Sequence, residues 1–320
     1  MLAAHASYAQ LGIKGSSKID SLQLLADKLS GNQKVDMLNA LAYEWFDYSD
    51  KMANEKIREA LKLSEKLGYD KGRGEALIYK GIYERDLGNV SQAHNDFIVG
   101  IKLSKKAGNK RMEGYGLTQY GAALLLVGKK DSSLMLHKQS YAVLRDSLNP
   151  LELSILYRHL SKYYKVASDF RMEKEYLLRS SKIREALKGS AVLAAIYTEL
   201  AAYYGQFNKI DEATLYLEKA ERMISSLGDL GEARMADFKY AKAVILAKQS
   251  HYKEALAIFN ELKEYRKGNA SLQKQTNQLI EFGFLLAELG NYELSLFNYY
   301  EALKIAEENK YQHEHAKVLV

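Results

Sequence analysis

Small residues recur along this chain at fixed offsets, with a period near 40, and nothing else in the sequence restricts the fold as tightly. The stretch 279–306, LIEFGFLLAELGNYELSLFNYYEALKIA, reads as two amphipathic helices joined by a turn at Gly290-Asn291. Gly283 is small on the first helix, and Ser295 and Ala302 are small on the second, with Tyr299 between them. Small residues at these offsets let two antiparallel helices approach closely, and the aromatic fills the space beside them.

The same unit repeats upstream. The Gly283 position falls on Ala42, Gly81, Gly121, Ser161, Ala201, Ala243 and Gly283. The Ser295 position falls on Ala53, Ala93, Ser133, Glu173, Ala213, Ala255 and Ser295. The Tyr299 position falls on Ile57, Phe97, His137, Leu177, Leu217, Phe259 and Tyr299, and the Ala302 position on Ala60, Gly100, Ser140, Ser180, Ala220, Leu262 and Ala302. A second series, Gly68, Gly108, Asn149, Gly189, Gly228, Gly268 and Asn309, supplies residues that can end helices in the left-handed conformation. A third, Gly88, Gly128, Ser168, Asn208, Ser250 and Gly290, marks turns inside the units. Three interlocked series predict a helical array. No alternating strand pattern interrupts it, and the single proline, Pro150, sits where a helix's first turn accepts it.

The offsets resemble those of the tetratricopeptide repeat (TPR), which has small residues at its eighth, twentieth and twenty-seventh positions and an aromatic at its twenty-fourth. A TPR unit has about 34 residues, whereas a period near 40 also falls in the range of HEAT-like repeats. The small-residue offsets favour the TPR reading. The expected fold is an all-α, right-handed α-solenoid of about seven TPR-like helix-turn-helix repeats. Residues 1–16 form a disordered terminus or a signal-peptide remnant, 17–31 an N-terminal capping helix, 32–309 the seven repeats and 310–320 the start of an eighth. Ser7-Tyr8-Ala9 fits a small-x-small cleavage site, although the apolar part before it is short. Localisation is extracytoplasmic if that reading holds and cytoplasmic otherwise. The chain ends on Val318-Leu319-Val320 without a partner helix, which reads as truncation or as an apolar end available for self-association.

Composition excludes several chemistries. With no cysteine there is no disulfide, thiolate metal site or cysteine nucleophile. There is no phosphate-binding Gly-rich loop, zinc-protease motif or nucleophile elbow, so the expectation is a protein that is not an enzyme and uses no cofactor. His313-Glu314-His315 would need metal donors from elsewhere. A net charge of +6 spread among acidic residues does not indicate nucleic-acid binding, and no long apolar run indicates a membrane span. The cluster Lys102, Lys105, Lys106, Lys110 and Arg111 reads as a charged turn, with phosphate or membrane binding as the sharper alternative.

Function is therefore expected on the groove lined by the first helix of each repeat. The TPR frame places Asn39, Tyr43 and Phe46 there in the first repeat and Ile78, Ile82 and Arg85 in the second. Tyr115, Thr118 and Leu125 follow in the third, Arg158, Lys162 and Lys165 in the fourth, and Tyr240 in the sixth. Arg158, Lys162 and Lys165 share one helical face, so they form a basic stripe suited to an acidic peptide or a C-terminal carboxylate. The bland alternative is a solvated face balanced by neighbouring carboxylates. The carboxylate clamp of chaperone-binding TPR proteins is not reproduced, because Ile78, Tyr79 and Ile82 stand at its positions in the second repeat.

KVDMLNALAYEWF (34–46) and LGNYELSLFNYYEALKIAEE (289–308) resemble the repeat regions of TPR signalling proteins of Bacteroidetes-type bacteria. That resemblance implies a protein- or peptide-binding sensory segment of a larger signal-transduction protein, of the kind associated with histidine kinases. The alternative is a stand-alone peptide-responsive regulator, similar to the repeat proteins of Gram-positive quorum sensing, which act on a response regulator or transcription factor. That family carries a helical bundle ahead of its repeats, and only residues 1–30 stand there in this chain.

Overall fold

The computed structural model describes residues 15–46, 49–146, 149–187, 191–226, 231–266, 272–309 and 318. The cleavage site, His313-Glu314-His315, the chain end around Val318 and the glycines 189, 228 and 268 fall outside the described residues, apart from Val318 itself. Among the described residues all regular structure is α-helical. Helix α1 (Gly15–Lys28) precedes the first pair, α2 (Gly31–Trp45) and α3 (Asp50–Leu67). Then follow α4 (Asp70–Asp86) with α5 (Val90–Lys106), α6 (Lys110–Leu126) with α7 (Lys130–Leu144), and α8 (Pro150–Val166) with α9 (Phe170–Ala186). The last pairs are α10 (Ala191–Gln206) with α11 (Ile210–Ser225), α12 (Gly231–Lys248) with α13 (Tyr252–Arg266), and α14 (Leu272–Glu288) with α15 (Tyr292–Glu308).

The helix pairs follow from the small-residue series. Ala42, Ala53, Ala60, Ala93, Ala201, Ala213, Ala220, Ala243, Ala255 and Ala302 are all fully buried. At three of the positions where serine replaces alanine its hydroxyl is used: Ser295 donates to the Gly283 carbonyl, Ser180 to that of Ser154 and Ser140 to that of Gly114, each at 2.7 Å, whereas the buried Ser133 hydroxyl has no hydrogen-bond partner among the described residues. Those bonds satisfy a hydroxyl that would otherwise be buried without a partner.

The six turn positions expected inside the pairs all adopt the left-handed conformation. Gly88, Gly128 and Gly290 have φ of 86°, 77° and 78°, and Ser168, Asn208 and Ser250 have φ of 58°, 56° and 62°. Between pairs, Gly68 and Gly108 close their helices in the same left-handed region. At Gly68 the Tyr69 N–H reaches back to the Ser64 carbonyl at 2.9 Å and the Gly68 N–H to that of Glu65, a Schellman closure. Asn149 and Asn309 depart from this pattern: Asn149 does not adopt a positive φ, and Asn309 has a φ of −103° with its side-chain amide donating to the Ile305 carbonyl at 2.9 Å.

The chain divides into two compact units. The first gathers α1 to α5, α6 as far as Ala123, and Leu136–Glu152; the second gathers Leu124–Met135, Leu153–Ser226 and the described residues from Gly231 onward. In the first unit α1 lays Ile19, Leu22 and Ala26 against Met37 and Leu41 of α2. The α4–α5 contact is backbone-close, since a Cβ added to Gly100 would lie 2.9 Å from the Gly74 carbonyl oxygen. In the second unit Leu193, Ile196, Leu200, Leu217, Phe238 and Ile245 share one core, and Phe259 packs with Phe282 and Leu285 in another. No described helix is long and apolar enough to cross a membrane.

Candidate functional site

The first unit gathers tyrosines from three successive first helices. Tyr43 of α2, Tyr79 of α4 and Tyr115 of α6 form a ring cluster with centroids 5.9, 6.3 and 6.5 Å apart, and Phe46 stands 6.2 Å from Tyr79. Each tyrosine follows the last by 36 residues. That is about one helical turn short of the 40-residue period, so the row steps back a turn on each helix. The Tyr79 hydroxyl donates to Glu75 at 3.0 Å. Arg111 bridges two buried carboxylates, Glu75 at 2.9 Å and Glu152 at 3.0 Å. Burial alone would favour a neutral Arg111; Glu75, then Tyr79 and Glu152, hold it charged. Burial also pushes the Tyr79 and Tyr115 hydroxyls well above the ordinary range, so both stay protonated.

The other expected groove residues of this unit have definite partners. Asn39 is fully buried, and its amide donates to the Gly72 carbonyl at 2.9 Å while its Oδ1 accepts no hydrogen bond. Arg85 donates to Gln119 at 2.6 Å and pairs with Asp86. Ile78, Ile82 and Thr118 lie in the core, not on the surface. The reason for Ile78 is Gly116: with no side chain on the next first helix, the Ile78 tip occupies that space, 2.8 Å from where a Cβ would stand. The basic cluster around 102–111 is a charged turn whose Lys106 pairs with Asp70 at 2.7 Å and whose Arg111 belongs to the network above.

The second unit carries the basic stripe on α8. Arg158 grips Glu199 of α10 with two nitrogens, Nη2 to Oε1 at 2.7 Å and Nε to Oε2 at 3.0 Å. Lys162 stands 3.6 Å from the same carboxylate. Burial would raise the Glu199 pKa, but Arg158 and then Lys162 hold it down to about 2. Lys162 and Lys165 remain exposed. On α9, Glu173 is buried, and burial pushes its carboxyl up to about 7 despite the opposing charge of Lys165. Tyr240, expected on the groove of α12, is half-buried, with its ring edge-on to Phe259 at 5.7 Å.

The stripe is therefore partly neutralised, with Arg158 committed to Glu199 and the two lysines facing solvent. Sequence spacing alone did not bring out Glu199 or Glu173. Glu173 did carry a signal, being the one large side chain in a series otherwise made of alanine and serine. Among the described residues no group of His, Asp and Glu is arranged to hold a metal ion.

The fold defines a class: this is a TPR-like helical-repeat protein. No protein-family model matches the chain, and no curated protein matches it in sequence. Solved structures do match in fold. The chain is similar to a Rap protein complexed with competence and sporulation factor, with a TM-score of 0.72 and 14% identity over 92% of this chain and 80% of that one. It is similar to aspartyl phosphate phosphatase F from Bacillus subtilis, with a TM-score of 0.64 and 12% identity over 89% of this chain and 74% of that one. A tetratricopeptide repeat protein from Parabacteroides merdae matches with a TM-score of 0.50 and 11% identity, over 90% of this chain and all of that one.

Proposed function

We propose that this chain is a non-enzymatic scaffold that binds a peptide or protein segment on first helices of its repeats, in the second unit on α8 and α10, which favour an acidic segment. It serves as the sensory repeat region of a bacterial signal-transduction protein. The observation that carries the reading is Lys162 and Lys165, two exposed lysines on one face of α8, with Lys162 3.6 Å from the Glu199 carboxylate that Arg158 holds. A partner carboxylate meets charge there without first breaking a strong bidentate contact. A second reading, a stand-alone peptide-responsive regulator, is supported by the likeness over 92% of this chain to a Rap protein complexed with competence and sporulation factor. Both readings place the binding event on the same face.

The test is capture from an extract of the source cells by the immobilised chain and by its Lys162→Glu/Lys165→Glu variant. A partner held by the first and lost from the second supports the reading. Equal capture by both removes α8 from it.

A further inference from the structure

Helix α15 carries two aromatic rings where the other second helices carry none. Phe297 is 57% exposed and Tyr300 is 66% exposed. At the same two positions α3 has Glu55 and Arg58, α7 has Met135 and Lys138, and α11 has Leu215 and Glu218. The two positions are exposed on every second helix except α9, where they are half-buried, so they face away from the neighbouring helices. Tyr252 of α13 shows the contrast. It stands at the position of Tyr292, and its hydroxyl donates to Glu288 on the next first helix at 3.2 Å. A further repeat stacked on α15 would therefore reach Tyr292 and leave Phe297 and Tyr300 open.

Two charges flank the rings. Glu293 and Lys304 are both exposed, and neither has a partner among the described residues. At about 100° per residue, positions 293, 297, 300 and 304 fall within about 60° of one another around the helix. Glu293 and Lys304 are about 16 Å apart along its axis, so they do not pair within one helix. The order along the face is acid, aromatic, aromatic, base. Turned end over end, that order meets its own complement. About a two-fold axis at the level between Asn298 and Tyr299, Lys304 stands opposite the partner's Glu293, and Tyr300 opposite the partner's Phe297. A patch complementary to itself under a two-fold axis is the kind that closes a homodimer.

We propose that the Glu293–Lys304 face of α15 docks on the same face of a second copy of this chain, antiparallel across a two-fold axis. The charges select the occupant. A foreign helix has to bring acid and base in the reverse order, whereas a second copy brings them by symmetry. The rings supply the apolar contact, and the two Glu–Lys pairs fix the antiparallel register. A face one helix wide belongs to the small-interface class, so the dimer is weak and reversible. It uses no residue of α8 or α10, so each dimer carries two copies of the binding face proposed above.

The experiment is sedimentation velocity of the full chain over a wide range of concentration at low ionic strength, where exposed charges act most strongly. Wild type is expected to move from monomer toward dimer as concentration rises. Phe297→Ser/Tyr300→Ser is expected to stay monomeric. Glu293→Lys alone and Lys304→Glu alone each set like charges opposite each other twice, and are expected to associate at least about tenfold more weakly. The chain carrying both swaps is expected to recover wild-type association. An equimolar mixture of the two single variants is expected to recover it as well, because each supplies the charges the other lacks. All four side chains are exposed, so the fold does not depend on them, and unchanged thermal midpoints check this. A wild type that stays monomeric throughout overturns the proposal and leaves the face to a foreign helix. Dimers that survive loss of both rings, or that the single swaps leave unchanged, overturn it too. So does a double swap that fails to restore association.

Discussion

Gly81 lies directly against the ring of Phe97: a Cβ built on the glycine would meet both Cδ1 and Cε1 at 2.9 Å. Gly81 is on α4 and Phe97 on α5, and the ring is fully buried. The same pairing recurs at Gly283 and Tyr299, where the distance would be 3.1 Å. In an exposed helix Gly→Ala gains about 1 kcal/mol. Here the added methyl has no room and the ring has nowhere to go, so overpacking, at about 1–3 kcal/mol, wins. Gly81→Ala should lower the denaturation midpoint and Gly81→Val should lower it further. A Gly81→Ala chain more stable than wild type would refute this account of the helix contact.

Arg111 holds two buried carboxylates. Arg111→Met removes the cation shared by Glu75 and Glu152, leaving Glu75 only its hydrogen bond from Tyr79. Breaking such an arrangement costs about 3–5 kcal/mol. Adding Glu75→Gln and Glu152→Gln to the variant should recover part of that loss. Urea unfolding of the three chains measures it, and no recovery in the triple variant would mean that the charges are not the cause.

His137 stands fully buried at a position that elsewhere holds Phe97, Phe259 or Tyr299. Burial lowers its pKa to about 4, against a slight opposing effect from the Thr118 backbone. Above pH 6.5 it is neutral whether folded or unfolded and has no effect on the balance. As pH falls from 6.5 to 4 only the unfolded chain takes the proton, so stability drops by up to about 3 kcal/mol. His137→Phe should remove that part of the acid sensitivity. The check is the unfolding free energy at pH 7.5 and pH 4.5 for both chains.

Glu173 carries the opposite sign. Its carboxyl titrates at about 7 when folded. Below the ordinary carboxylate value it is neutral in both states; as pH rises toward 7 the unfolded chain ionises first. The folded state then loses up to about 3 kcal/mol, and the loss is complete above pH 7. Glu173→Ala should therefore be more stable than wild type at pH 8, with the difference shrinking as pH falls from 7 toward the ordinary carboxylate value. An unchanged difference across that range would show that packing, not charge, sets the effect.

The periodic features of this protein were legible in the sequence because each is decided within one helix pair. Gly88, Ser168, Asn208 and Ser250 could be recognised as turns because their neighbours in the frame were turns too, and all four have positive φ. The pairings between repeats were not legible. Arg158 finds Glu199 41 residues away, whereas Arg111 finds Glu75 at 36 and Glu152 at 41. Which of these offsets meets depends on the small rotation between successive pairs, which the sequence does not state. The groove frame likewise placed Ile78 and Ile82 at the surface, because it took no account of Gly116 making room for Ile78 on the next helix.

The most direct test of the central claim is amide hydrogen exchange of the full chain with and without hexaglutamate at pH 6, followed peptide by peptide. The account predicts added protection in segments from α8 and α10, around Lys162, Lys165 and Glu199, with α2 to α5 unchanged. Protection that appears elsewhere and leaves α8 and α10 as they were would contradict it.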